Sequence, residues 1–275
     1  MADREYRTLK VEREDGVTFL YFNRPEKRNA MNPTLLAEMV DALDWLETDP
    51  DTQILVLTGA GDAFTAGMDL KEYFRELDDQ PEARLKALWN LRMFHHTRLA
   101  GFAKVTIAMV NGWCFGGGFS PLVSCDLAIA AEEAQFGLSE VNWGIIPGGF
   151  VSKDVVHALS YRHAFWYALT GETFDGKRAA EIGLVNLAVP RAELRARTLE
   201  VARHLMQISP MVLRATKEAL RVVPQLGWDE AFDYLMAKQA WLRANDPERS
   251  RDRGIRQFID EKKYRPGLGP QPREG

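Results

Sequence analysis

Two short runs of strand-forming residues each stop at a small-residue break, and this recurrence constrains the fold more than any other feature. Ile54 to Leu57 ends in Thr58-Gly59-Ala60-Gly61, and Thr106 to Val110 ends in Asn111-Gly112. Both breaks lead through small residues into a helix-like segment. Strands without a polar face are buried on both sides, as parallel strands with helical crossovers are. The two halves are too loosely alike to be a sequence repeat, but they predict an α/β fold of stacked strand–strand–helix units.

The flanking segments fit that plan. Val17 to Phe22 is rich in β-branched and aromatic residues and closes on the turn Asn23-Arg24-Pro25. Asn32-Pro33 carries the signature of a helix N-terminus. Behind it Leu35, Leu36, Met39, Val40, Leu43 and Leu46 recur at helical spacing, which predicts a helix of about four turns. Residues 75–90 are polar and charged; a mobile lid and a solvated helix both suit them, the helix better. After Val189-Pro190 the chain reads as helical, with starts at Ser209-Pro210 and Gly227-Trp228-Asp229. That region keeps Trp228, Phe232, Tyr234, Leu235, Met236, Trp241 and Leu242, an apolar stripe expected to pack on the core or on another subunit. The 275 residues thus divide into a core at 1–205, a helical region at 206–265 and a Pro/Gly-rich tail at 266–275, expected to be disordered.

Composition narrows the function. With 46% hydrophobic and 27% charged residues, the chain reads as a soluble globular protein. A net charge of -4 gives no support for a nucleic-acid partner. The charged N-terminus lacks the apolar core of a signal peptide, and no apolar run approaches the roughly 20 residues of a membrane helix. A cytoplasmic setting is the expectation. Cys114 and Cys125 read as buried reduced thiols, and neither they nor the five histidines show metal-ligand spacing. The adjacent His95 and His96 read as surface or helix-face residues.

The chemistry-bearing stretch runs from Asn111 to Gly144. Asn-Gly-Trp-Cys-Phe-Gly-Gly-Gly-Phe-Ser (111–120) is not G-x-G-x-x-G, and no P-loop lysine follows it. Ser120 has leucine, not glycine, two residues on, so the nucleophile-elbow pattern fails. Glycines 116–118 either permit close helix packing or aim bare N–H groups at a ligand. The earlier Ala63-Phe-Thr-Ala-Gly-Met-Asp-Leu-Lys-Glu-Tyr73 also follows a strand and offers a second backbone donor. Two donors from separate loops are what an oxyanion hole requires, and Glu140, in apolar company, is a candidate acid/base group beside them. Taken alone, Glu140 reads more readily as a surface carboxylate.

Phe-Thr-Ala-Gly-Met-Asp-Leu (64–70), followed by Asn-Gly-Trp-Cys-Phe-Gly-Gly-Gly (111–118), resembles the enoyl-CoA hydratase/isomerase (crotonase) superfamily. Cys-Asp-Leu-Ala-Ile-Ala (125–130), Phe-Gly-Leu-Ser-Glu (136–140) and Gly-Ile-Ile-Pro-Gly-Gly (144–149) extend the resemblance, which runs from Asn23 to the Phe258-Ile-Asp-Glu-Lys-Lys stretch. It implies a crotonase-like spiral of ββα units with a helical C-terminal trimerisation region, and assembly as a trimer or a dimer of trimers. It also implies an acyl-CoA thioester substrate and no cofactor or metal beyond the coenzyme A of that substrate. Ordinary hydratases of this kind carry two catalytic glutamates, and the first falls at Ser120 here. Serine there, with Met68-Asp-Leu-Lys-Glu-Tyr-Phe-Arg75, resembles the hydroxycinnamoyl-CoA (feruloyl-CoA) hydratase/lyases. These hydrate an aryl-propenoyl thioester such as feruloyl-, p-coumaroyl- or caffeoyl-CoA. They then cleave it to an aromatic aldehyde (vanillin or 4-hydroxybenzaldehyde) and acetyl-CoA.

By that resemblance, the backbone N–H groups of Met68 and Gly117 form the oxyanion hole, Glu140 is the general acid/base, and Ser120 hydrogen-bonds the water or hydroxyl at the β-carbon. Lys27, with Arg28 beside it, lies where the family contacts coenzyme A. Ala66, Leu70, Ser139 and Trp143 are implied to line the acyl pocket, and Tyr73 to meet the phenol hydroxyl of the substrate. A second family tyrosine is replaced here by Met236 in Tyr234-Leu-Met236. A plain enoyl-CoA hydratase or isomerase on another acyl chain is the nearest alternative. A crotonase-fold scaffold binding RNA or a protein is the more distant one.

Overall fold

The computed structural model describes residues 4–262, so the 266–275 tail lies outside the described residues. The chain forms two compact units, Met1–Phe102 with Thr106–Leu199, and Ala103–Val105 with Glu200–Gly275.

The first unit is built on two sheets. Strands β1 (Leu9–Glu14), β2 (Val17–Phe22), β3 (Ile54–Gly59), β5 (Val105–Val110), β7 (Leu127–Ala131) and β10 (Leu187–Val189) make a six-stranded sheet in that order. Strands β4 (Ala63–Thr65), β6 (Trp113–Phe115), β8 (Gln135–Gly137) and β9 (Thr173–Asp175) make a smaller one. Each of the pairs β3/β4, β5/β6 and β7/β8 gives one strand to each sheet before a helical segment follows. Those segments include α2 (Pro81–Arg92), α3 (Phe119–Ser124) and α4 (Val151–Ala158) respectively, each preceded by a short helical turn. This is the stacked strand–strand–helix plan expected of the sequence, wound as a spiral.

Local chemistry explains the turns of that spiral. Helix α1 (Pro33–Thr48) starts where Asn32 Oδ1 accepts from Leu35 N–H at 2.8 Å, with proline at its first position. Its face of Leu35, Leu36, Met39, Leu43 and Leu46 is fully buried. A Cβ on Gly59 would lie 1.9 Å from Ala63 O, and one on Gly112 would lie 1.8 Å from Asp62 O. Only glycine lets the chain fold back so tightly from one sheet to the other. Phe22, Phe64, Phe94, Phe119 and Phe136 fill the core, Phe22 meeting Phe64 edge-on at 5.5 Å.

The charged stretch after residue 75 is helical, a short turn at Arg75–Leu77 followed by α2, as the solvated-helix reading expects. After α5 (Tyr161–Thr170), α6 (Gly176–Glu181) and α7 (Leu194–Met206), the second unit holds α8 (Pro210–Val222) and α9 (Trp228–Asn245), which start at the expected Ser209-Pro210 and Gly227-Trp228, and α10 (Ser250–Ile259), for which no start was expected. Glu218 on α8 is clamped there by Arg214 at 2.8 Å and by Lys238 of α9. Trp228, Phe232 and Met236 of α9 are exposed, Trp228 to 94%.

Candidate active site

Strands β4, β6 and β8 are parallel neighbours, so their carboxyl ends meet along one edge of the small sheet. Met68 follows β4 by three residues, Gly117 follows β6 by two, and Glu140 follows β8 by three. Loops leaving one edge of parallel strands are where α/β sheets build their sites.

The first loop is held by residues 28–31. Ala66 N–H donates to Arg28 O at 2.9 Å, Met31 N–H to Gly67 O at 2.7 Å, and Asp69 N–H to Met31 O at 2.9 Å. Peptide groups alternate in direction along an extended chain, so this bridge turns Met68 N–H the other way. Asp69 then caps the helical turn Leu70–Phe74, accepting from Lys71 and Glu72 N–H groups at 3.0 and 2.9 Å. Arg24 donates to Asp69 at 3.1 Å and to Glu72 at 2.6 Å.

The second loop is the glycine run, wound as the tight turn Gly116–Gly118 that leads into α3. The first N–H groups of such a turn have no acceptor within it. Neither Met68 N–H nor Gly117 N–H finds an acceptor among the described residues. Gly67, at φ +89°, brings the two loops together: a Cβ there would lie 2.6 Å from Phe115 O and 3.1 Å from Gly117 N. A Cβ on Gly117 itself would lie 3.0 Å from Met68 Cγ. Two free donors are therefore neighbours.

Glu140 opens the turn Glu140–Trp143, which closes on Gly144 at φ +71°. Its carboxyl is buried, and Oε2 has no hydrogen-bond partner. Gly116 makes room for it, since a Cβ there would lie 3.1 Å from Glu140 Oε1. Burial raises its pKa above the ordinary carboxylate range, opposed only by its own backbone N–H. A carboxyl tuned upward can both take and return a proton near neutral pH.

A cavity of about 590 Å³ collects these groups. Ala66, Met68, Leu70, Tyr73, Gly117, Ser120, Ser139, Glu140 and Trp143 all line it, nine of the ten site residues expected from the sequence. Lys27 closes the turn Pro25–Lys27 and is not among the lining residues, whereas its neighbour Arg28 is, with its guanidinium 4.4 Å from the Trp113 ring centre. Ser120 is buried in the first turn of α3. Burial raises the Tyr73 phenol, with the Arg84 charge opposing. At the rim Trp143 and Ile146 are exposed, Ile146 to 79%.

Of the two readings for His95, surface or helix face, the structure bears out the helix face and not the surface. His95 lies in the wide helical turn Met93–Leu99, is 1% exposed, and lines the same cavity. The signal was present in the sequence: His95 falls four residues after Leu91 and four before Leu99, on the buried stripe. His96, one position round, instead pairs with Asp154 at 3.2 Å.

Comparison with known proteins identifies the family of the chain. The family model described as enoyl-CoA hydratase/isomerase matches residues 12–265. The chain is 54% identical to the hydroxycinnamoyl-CoA hydratase-lyase of Pseudomonas fluorescens over 269 residues, 96% of each chain. It is 34% identical to the 2,3-dehydroadipyl-CoA hydratase of Escherichia coli over 214 residues, 78% of this chain and 81% of the relative. An enoyl-CoA hydratase from Bacillus anthracis superposes with a TM-score of 0.83 at 28% identity, over 97% of this chain and 99% of that one.

Proposed function

This chain belongs to the enoyl-CoA hydratase/isomerase family, and on that premise we propose that it hydrates a 4-hydroxycinnamoyl-CoA thioester and then cleaves it to an aromatic aldehyde and acetyl-CoA. The Pseudomonas relative named for this reaction supports the choice over plain hydration. The observation that carries the mechanism is local. Two acceptor-free backbone donors and one unpartnered, buried carboxyl stand on successive loops at one sheet edge.

Both steps gather negative charge on the thioester oxygen, which the N–H groups of Met68 and Gly117 stabilise. One such donor is worth about 2.7–4 kcal/mol. In the first step, ionised Glu140 takes a proton from water as its oxygen bonds to the β-carbon, and returns that proton to the α-carbon. In the second, Glu140 takes the β-hydroxyl proton. The bond between the α- and β-carbons breaks, the aldehyde leaves, and the enolate of acetyl-CoA takes the proton back at carbon. One carboxyl suffices because each step returns what it borrowed. Ser120 holds the hydroxyl at the β-carbon, and Tyr73 meets the phenol of the ring.

No step moves electrons to or from an acceptor, so coenzyme A enters only as part of the substrate. Arg28 and Lys27 attract its phosphates. The chain works as a trimer or a dimer of trimers in the cytoplasm. The exposed apolar residues of α9 support the first, and two buried free thiols support the second. No described helix is long and apolar enough to cross a membrane.

Feruloyl-CoA decides the reading. Stoichiometric vanillin and acetyl-CoA, followed by chromatography, is the expected outcome; accumulation of the hydroxy-thioester alone leaves a hydratase and no lyase.

A further inference from the structure

Among the side chains lining the cavity, two bury polar atoms that have no partner: Glu140 through Oε2, and His95 through both ring nitrogens. The first is accounted for by catalysis. The second is not, and a buried imidazole without partners opposes folding unless something else is gained from it.

Leu88, Leu91 and His95 follow one another at three- and four-residue spacing, so they share one helical face, and all three line the cavity. Phe150 and Val151 line it too. Phe150 packs on the His96 ring with centroids 4.0 Å apart, which seats that segment against the helix carrying His95. The wall formed by Leu88, Leu91, Phe150 and Val151 is thus aliphatic and aromatic, with His95 set in it and Arg84, one turn before Leu88, also lining the cavity. Phe94 covers the imidazole from the side, ring centroids 4.4 Å apart.

We infer that His95 is a specificity residue, hydrogen-bonding an oxygen substituent on the aromatic ring of the acyl group. This rests on the reading of the substrate as a hydroxylated aryl-propenoyl thioester. Burial, helped by the neighbouring His96, pushes the His95 pKa down to about 3, so the ring is neutral at any working pH. A neutral imidazole offers one N–H donor and one lone pair. A phenol hydroxyl, itself donor and acceptor, satisfies either nitrogen. A bare ring leaves both dry and unpaired, and sites built around a hydroxyl reject the analogue that lacks it. His95 neither donates nor takes a proton in the reaction.

Calorimetric titration with two unreactive saturated thioesters reads this contact without turnover: 3-(4-hydroxyphenyl)propanoyl-CoA and 3-phenylpropanoyl-CoA. The full chain should prefer the hydroxylated ester by about ten-fold or more. His95→Phe should cut that preference several-fold, Tyr73 keeping the remainder, while holding the phenyl ester as tightly as before. His95→Gln, which keeps a donor and an acceptor, should retain the preference. A second readout needs no variant to fold: the ring nitrogen resonances of His95 in the ¹⁵N-histidine-labelled native protein should move with the hydroxylated ester and not with the phenyl one. Equal weakening of both esters in His95→Phe, a preference left unchanged by it, or unmoved resonances overturns the assignment. Turnover of feruloyl-CoA by the native chain is measured beside these. Vanillin release with any of the overturning results sinks this contact alone, whereas the absence of vanillin sinks the parent reading.

Discussion

Asp69 and Glu140 are both buried carboxyls on loops at the same sheet edge, and their surroundings drive them in opposite directions. Burial alone would raise Asp69, but the N–H of Glu72 and the guanidinium of Arg24 outweigh it and hold Asp69 below the ordinary carboxylate range. Glu140 has no such partners, and burial raises it. One carboxyl is fully engaged and fixes the backbone that carries Met68. The other is left unpaired, which costs stability and makes a proton carrier. The same residue class thus builds the frame in one loop and does the chemistry in the next.

Removing the unpaired partner should have the largest effect. Glu140→Gln or Glu140→Ala should lower kcat by about 10²- to 10⁴-fold, the range for a lost acid/base group, with thioester binding retained. The stability change should run the other way. A raised carboxyl holds its proton longer in the native state than in the unfolded one, so Glu140 erodes stability as pH rises from the ordinary carboxylate range through its raised pKa. Glu140→Gln removes that erosion. Its Tm should match or exceed that of the native chain at neutral pH, and the advantage should shrink as pH falls below that window. A glutamine variant that melts well below the native protein at neutral pH would erase the contrast with Asp69.

Breaking the engaged carboxyl should cost stability first. Asp69→Ala takes from buried Arg24 one of its two carboxylates, Glu72 remaining, and uncaps the Leu70–Phe74 turn, a loss of about 1.5–3 kcal/mol for hydrogen bonds to a charged group. Here the sign against pH is reversed: the contribution of Asp69 is present above the ordinary carboxylate range and is lost as pH falls through its depressed pKa. Denaturant melts at neutral and acidic pH should therefore converge for Asp69→Ala and the native chain at low pH. Curves that stay parallel would mean that Asp69 does not hold this loop.

A narrower test separates the loops without touching either carboxyl. Gly67→Ala forces a side chain at φ +89° into Phe115 O and must widen the gap between the Met68 and Gly117 donors. A drop in kcat of about ten- to a hundred-fold, beyond any change in KM, is expected from displaced donors. The glycine motifs themselves were legible from the sequence, as were β2, α1 and the starts of α8 and α9, because caps, prolines and long periodic stripes act locally. The small sheet was not. Its strands are three residues each, too short to show a period of two, and β4 and β6 are reached only because Gly59 and Gly112 let the chain turn between sheets. His95 was missed because a pair of histidines reads as polar until its place on the Leu91–Leu99 stripe is counted. Nor does the local sequence show how tightly Asp69 is engaged: besides accepting from the Glu72 N–H it meets Arg24, which arrives from 45 residues away.

Charges at the mouth of the site make a third case, neither engaged nor buried, and the smallest effects belong there. Arg28 lines the cavity and lies over Trp113, at a left-handed backbone position with φ 48°, while Lys27 beside it is not among the lining residues. If phosphate attraction acts through the cavity mouth, Arg28→Ala should raise KM for the thioester by a few-fold, roughly the effect of one exposed charge. Lys27→Ala should raise it less, and kcat should stay unchanged in both. Screening separates attraction from packing. About 0.5 M salt should raise the native KM and narrow the gap to Arg28→Ala if the role is electrostatic. A gap that persists in salt assigns Arg28 to holding Trp113 in place, and a larger effect at Lys27 than at Arg28 moves the coenzyme A contact out of the cavity and onto the Pro25–Lys27 turn.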